Sequence, residues 1–145
     1  MRAAIALAVL MLGAGGAFAQ GDTPAGAPAP GDVAAGEVVF KKCAVCHMVG
    51  EDAKTRVGPI LNGVFGRTAG TLEGYNFSAA MKKAGDEGLV WTPETMAEYL
   101  VKPRDFVKGT KMTFAGVPNP DDLANVIAYL LTFSPDYVPE PAPAQ

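Results

Sequence analysis

Apolar positions recur at helical spacing along the chain and nowhere alternate in the manner of a strand, which predicts an all-α domain. Val33, Gly36, Val39 and Phe40 lie on one helical face, and Asp32 stands where the helix would be capped. Gly36 inside that helix predicts close approach by another helix. Ser78 to Lys83 reads as a short helix capped by Ser78 and ended by Gly85. Thr92-Pro93-Glu94 opens a third, with a cap, a proline in the first turn and an acid near the positive end. Met96, Tyr99 and Leu100 share its inner face, and Pro103 stops it. Asn119-Pro120-Asp121-Asp122 repeats the start signal, and the last helix aligns Leu123, Val126, Ile127, Leu130 and Leu131. Gly50 to Arg67, punctuated by Gly58, Pro59, Gly63 and Gly66, reads as irregular. There are no internal repeats.

The two ends differ from this middle. Residues 1–19 begin Met1-Arg2, run apolar through Leu12 and end Ala17-Phe18-Ala19, the pattern of a signal peptide cleaved before Gln20. The alternative is an uncleaved anchor, with residues 20–31 as tether. The apolar run is short for a span of about 20 residues and is broken by Gly13, Gly15 and Gly16. Residues 20–31 and 135–145, rich in Ala, Pro and Gly, read as a flexible leader and tail. That leaves residues 32–134 as the domain, about 100 residues, small for a self-sufficient core.

Charge narrows the possible partners. With Arg2 removed, 11 basic side chains face 15 acidic ones, a balance of −4 that excludes a nucleic-acid binder on charge grounds. The positive charge is placed unevenly. Lys102, Arg104, Lys108 and Lys111 cluster within ten residues, and Lys41 and Lys42 precede Cys43.

Cys43-Ala44-Val45-Cys46-His47 reads C-x-x-C-H, the attachment sequence of a c-type haem. It uses both cysteines and the only histidine of the chain. Two thiols at this spacing suit thioether bonds to one porphyrin, and the adjacent imidazole suits an axial bond to its iron. A thioredoxin-like thiol pair would follow a strand, whereas the residues before Cys43 look helical. A structural zinc site wants about four ligands, and these three sit within five residues. A bound haem would also supply apolar contact that so small a domain needs. Export and C-x-x-C-H support each other, because an exported chain must keep its two cysteines from forming a simple disulfide. Pro59, twelve residues after His47, offers a carbonyl for the free imidazole N–H, although a turn proline would have the same spacing.

One histidine leaves the sixth position of an iron undecided, and that position separates electron carriers from haem enzymes and gas binders. Met48 adjoins His47 and cannot reach across a porphyrin. Met81, Met96 and Met112 remain. Met96 lies on an apolar helix face, where core packing is the ordinary role. Met112 stands in a polar loop, Lys108 to Phe114, with no helical face to join.

Taken together, the motifs resemble the class I c-type cytochromes, and among them the small exported carriers of the cytochrome c-two and mitochondrial types. Four blocks carry the resemblance: Gly36 to His47; Gly58-Pro59-Ile60-Leu61-Asn62-Gly63-Val64-Phe65-Gly66-Arg67; Trp91 through Tyr99-Leu100 and Pro103; and Gly109 to Gly116 followed by Ile127-Ala128-Tyr129-Leu130. The resemblance implies the cytochrome c fold, four to five short helices around one covalently attached haem c. It implies His47 and Met112 as axial ligands, Cys43 and Cys46 as the covalent attachments, and the Pro59 oxygen on His47. It further implies Tyr99 beside the methionine sulfur, Arg67, Ser78, Trp91 and Thr110 near the propionates, and the terminal helices crossing at Gly36 and Tyr129. Phe77 stands where the family usually has a propionate-binding tyrosine. Arg104 and Asp105 replace lysines in the docking segment.

The function so implied is one-electron transfer, not enzymatic turnover. Phe114 would sit near an exposed haem edge. Lys42, Lys102, Arg104, Lys108 and Lys111 would face redox partners with acidic docking faces, such as a cytochrome bc complex, an oxidase or a photosynthetic reaction centre. The expected setting is the periplasm and the expected state a monomer, touching membranes only through its partners. An open-site haem enzyme or gas sensor is the competing reading, and Met112 argues against it.

Overall fold

The computed structural model describes residues 31–139, so the predicted signal peptide and most of the leader lie outside the described residues. Among the described residues five helices run in order: α1 (Val33–Phe40), α2 (Ala79–Asp86), α3 (Pro93–Val101), α4 (Pro103–Phe106) and α5 (Pro120–Leu131). Among the described residues the only β-type pairing is an isolated bridge between Thr68 and Val90.

The helix starts form where polar side chains satisfy the free backbone N–H groups of the first turn. Asp32 accepts from Ala35 N, Ser78 from Met81 N, and Asn119 from Asp121 N and Asp122 N. Thr92 and Thr95 cap each other reciprocally ahead of α3. Pro103 does more than stop α3: it is the first residue of the single turn α4, where its missing N–H costs nothing. Gly85 does not end α2. It lies inside the helix, where a Cβ would come within 2.0 Å of the Ala69 carbonyl oxygen, so glycine is needed there for close approach. The chain turns away after Gly88, whose φ of +99° suits glycine.

The first and last helices of the described residues meet where α1 crosses α5. A Cβ on Gly36 would stand 2.0 Å from the Asn125 oxygen and 2.7 Å from Tyr129 Cβ. The missing side chain is what lets the helices touch. Asn125 Oδ1 accepts from Asp32 N at 2.7 Å, so α5 helps to cap α1. The Phe40 and Tyr129 rings pack at 5.2 Å. Val126, Ile127 and Leu130 are buried beneath, each contributing on the order of 1.5–3 kcal/mol of burial energy. Val33, expected on the inner face, is 45 % exposed, although Gly31 and Asp32 just before it touch α5. The packed region begins at Gly31, whose Cβ would meet the Ala124 oxygen, and continues past Ser134: the Tyr137 ring lies 5.7 Å from that of Phe65.

Candidate functional site

Helix α1 runs directly into the two cysteines. Cys43 N and Ala44 N both donate to Phe40 O, and Cys46 N and His47 N both donate to Cys43 O. These successive turns hold Cys43, Cys46 and His47 on the wall of one cleft of about 570 Å³, within the size range of cofactor sites. Met112 lies on the same wall set, as do Pro59, Arg67, Ser78, Trp91, Tyr99, Thr110 and Phe114. Apolar side chains fill much of the remainder, including Val64, Met81, Leu100 and Leu130.

The His47 ring is fixed from two directions. Its Nδ1 lies 2.7 Å from Pro59 O, a separation that assigns the proton to Nδ1 and leaves Nε2 as a free lone pair. A Cβ on Gly58 would fall 2.4 Å from His47 Cε1, so the loop passes against the imidazole edge with no space to spare. Burial pushes the imidazole below its ordinary value, and the hydrogen bond to Pro59 opposes it. The neutral form, the one able to ligate a metal, is thereby favoured near neutral pH.

Met112 is arranged by two hydroxyls. Tyr99 OH donates to Met112 Sδ at 3.2 Å. With its proton on sulfur, the phenol oxygen accepts from Thr110 Oγ1 at 3.3 Å, and Thr110 Oγ1 also accepts from Met112 N at 3.3 Å. Burial raises the Tyr99 pKa above the ordinary phenol value. The hydrogen bond with Thr110 works against this, and the electrostatic influence of the neighbouring Tyr75 phenol adds to it.

The remaining positions divide. Arg67 is half-buried, donates to the Asn62 carbonyl and is pulled below its ordinary value by burial, while remaining a cation. Ser78 lines the cleft, but its Oγ accepts from Met81 N as a helix cap. Met96 also reaches the cleft lining from a buried helical position. Phe77 lines the cleft without a hydroxyl, and its neighbour Tyr75 donates instead to Val57 O at 2.9 Å. Of the basic residues, Lys42 and Lys111 line the cleft, and Lys111 Nζ donates to Asn76 O at 2.7 Å. Lys102, Arg104 and Lys108 stand outside its lining. Lys102 pairs with Asp105 at 2.7 Å, and Lys42 with Asp122 at 3.5 Å, all on exposed side chains where such pairs contribute little. The sequence marks Phe77 as the missing tyrosine, whereas the roles of Tyr75 and Asn62 carry no signal at the level of spacing, because their partners come from other loops.

The donor set fits a c-type haem. Two thiols, a neutral imidazole and a thioether sulfur line a single largely apolar cleft. As a free thiol Cys43 is pushed up to about 11 by burial, against the pull of the Lys42 ammonium, so it is far from a metal-binding thiolate. Among the described residues no cluster of three or more His, Cys, Asp or Glu suits a bare metal ion.

The fold and this cleft define a haem protein of the c type. The family model described as Cytochrome c matches residues 33–134. Cytochrome c2 of Agrobacterium tumefaciens (strain II Chrys) is 55 % identical over 101 residues, 70 % of this chain and 91 % of that one. Cytochrome c2 of Afifella marina is 53 % identical over 109 residues, covering 75 % and 88 %. The solved structure of cytochrome c2 from Rhodospirillum centenum superposes with a TM-score of 0.70 at 46 % identity, covering 72 % of this chain and all of that one. The chain belongs to the cytochrome c family, as a class I c-type cytochrome with one covalently attached haem c. It is an electron carrier rather than an enzyme.

Proposed function

We propose that His47 and Met112 are the two axial ligands, and that the protein is a soluble periplasmic shuttle between redox partners with acidic docking faces. The observation that carries the ligand reading is the Tyr99 hydrogen bond to Met112 Sδ, which orients a thioether in the cleft that also holds His47. Bound there, the haem iron supplies a one-electron couple, and His/Met ligation in a buried site raises its potential. The protein's part is to keep both donors in place. Pro59 fixes the His47 tautomer, Tyr99 and Thr110 fix the Met112 sulfur, and apolar walls exclude water. Arg67, Ser78 and Trp91 stand ready for the propionates, and Phe114 for the exposed edge. Held by both His47 and Met112, the iron would offer no position for a substrate to coordinate.

The lysines on and near the cleft mouth would steer acidic partners, a cytochrome bc complex, an oxidase or a photosynthetic reaction centre among them. Export follows from residues 1–19, with cleavage before Gln20. A domain widened from 32–134 to take in Gly31 and Tyr137, a leader before it, a tail after it and the monomeric state complete this reading. Met112→Ala tests the ligand set: the weak near-infrared band of a sulfur–ferric bond should vanish and carbon monoxide should bind readily. An unchanged spectrum would remove Met112 from the site. Sequencing the N-terminus of the purified protein tests export, and a chain beginning at Met1 in the membrane fraction would favour a tether.

A further inference from the structure

Gly58 and Pro59, which grip the His47 ring from two directions, sit on a loop whose neck joins Gly50 to Asn62. The neck is closed by one side chain. Asn62 Oδ1 accepts from Gly50 N at 2.9 Å, and Asn62 Nδ2 donates to Gly50 O at 2.8 Å. A single primary amide thus satisfies both backbone groups of one residue, as a neighbouring strand would. Within the loop the backbone adds Arg56 N to Gly58 O at 3.0 Å, and the chain just before the neck holds the far limb by Gly58 N to Cys46 O at 2.9 Å and Leu61 N to Met48 O at 3.0 Å. The loop has no helix or sheet to stiffen it, so the neck acts with these backbone bonds to limit how far Pro59 can drift. The Asn62 carbonyl meanwhile accepts from Arg67, tying the neck to the cleft from the other side.

We propose that Asn62 is a positioning residue for His47: its amide closes the Gly50–Asn62 loop and so holds the Pro59 carbonyl on His47 Nδ1. Asparagine carries a donor and an acceptor side by side on one short planar group, the pairing that both backbone groups of Gly50 need. Aspartate keeps the acceptor but sets a second oxygen against the Gly50 carbonyl, glutamine adds a methylene, and alanine offers neither group. The proposal rests on His47 being the ring held against the iron. It adds a residue that touches neither the iron nor the imidazole.

The test is hydrogen exchange of the His47 ring N–H in the reduced holoprotein, followed by NMR. Asn62→Ala should speed that exchange by about tenfold or more, the consequence of losing two hydrogen bonds at the neck. Asn62→Asp should fall between Asn62→Ala and the parent. Asn125→Ala removes a comparable amide-to-backbone bond at Asp32 N, on the α1–α5 crossing, and should leave the rate within about twofold. A parent-like rate in Asn62→Ala, or an equal rise in Asn125→Ala, would overturn the proposal. If Asn62→Ala does not accumulate with haem, Asn62→Asp decides alone: a faster rate supports the proposal and a parent-like rate overturns it. Parent His47 ring signals lacking the large shifts of an iron ligand in the oxidised protein would sink the ligand reading instead, whatever stands at position 62.

Discussion

The Tyr99 hydroxyl donates to the sulfur of Met112, 3.2 Å away and thirteen residues further along the chain. One phenol thus connects helix α3 to the loop after α4 and orients a side chain that is flexible by nature. Thr110 makes the arrangement directional, since its hydroxyl donates to the phenol and leaves the phenol proton for sulfur.

Tyr99→Phe removes that bond and should cost about 1 kcal/mol in urea unfolding at neutral pH. The effect should depend on pH. The folded pKa of Tyr99 lies above its ordinary value of 10.0 because the phenol is buried. A raised pKa means that the folded chain holds its proton more tightly than the unfolded one. The associated stability is whole below pH 10.0 and drains away as pH climbs from there through the folded value. The alkaline fall in stability should therefore be shallower in Tyr99→Phe than in the parent. Parallel alkaline limbs would contradict this.

Gly58→Ala would put a methyl group 2.4 Å from His47 Cε1. Neither the ring nor the loop can yield without disturbing the Pro59 bond. The expected outcome is a holoprotein whose thermal midpoint falls, by overpacking of roughly 1–3 kcal/mol or more, with altered haem absorbance. A parent-like spectrum and midpoint would show that the loop gives way freely.

Gly36→Ala separates helix packing from the cleft. The added carbon would fall 2.0 Å from the Asn125 oxygen, a backbone atom that cannot swing aside. Stability in urea should drop by about 2 kcal/mol or more, while the near-infrared signature of the sulfur ligand stays in place. Loss of that signature in a still-folded variant would mean that the crossing and the cleft are one unit.

Lys108→Glu and Lys111→Glu test steering. Lys111 also tethers Asn76 O, whereas the Lys108 side chain has no hydrogen bond or ion pair among the described residues. Both changes should slow reaction with an acidic redox partner in stopped-flow measurements at low salt. Both should flatten the dependence of rate on ionic strength. Lys108→Glu should leave stability within about 0.5 kcal/mol. Rates unaffected at low salt would place the docking face elsewhere.

Some of this was legible in the sequence and some was not, for physical reasons. C-x-x-C-H is readable because the chemistry demands contiguous residues. The caps at Asp32, Ser78, Thr92 and Asn119 are readable because a cap acts on its own next turn. Gly36 is readable as a contact because a glycine inside a helix asks for a reason. Gly85 carried the same cue and was expected to stop its helix. Only the approach of Ala69, sixteen residues earlier in the chain, explains why it stays inside. The Asn62 neck, the Tyr75 bond to Val57 and the Tyr137 stack on Phe65 each join loops with no periodicity to read.

The α1–α5 crossing sets a timetable. Asp32 and Asn125 are 93 positions apart, so the first helix has nothing to lean on until nearly the whole domain has been synthesised. Until then Cys43 and Cys46 belong to an unfinished chain, open to whatever enzyme modifies them. In the closed fold, burial pushes the Cys43 thiol up to about 11, so less of the reactive thiolate is on offer there than in the unfinished chain.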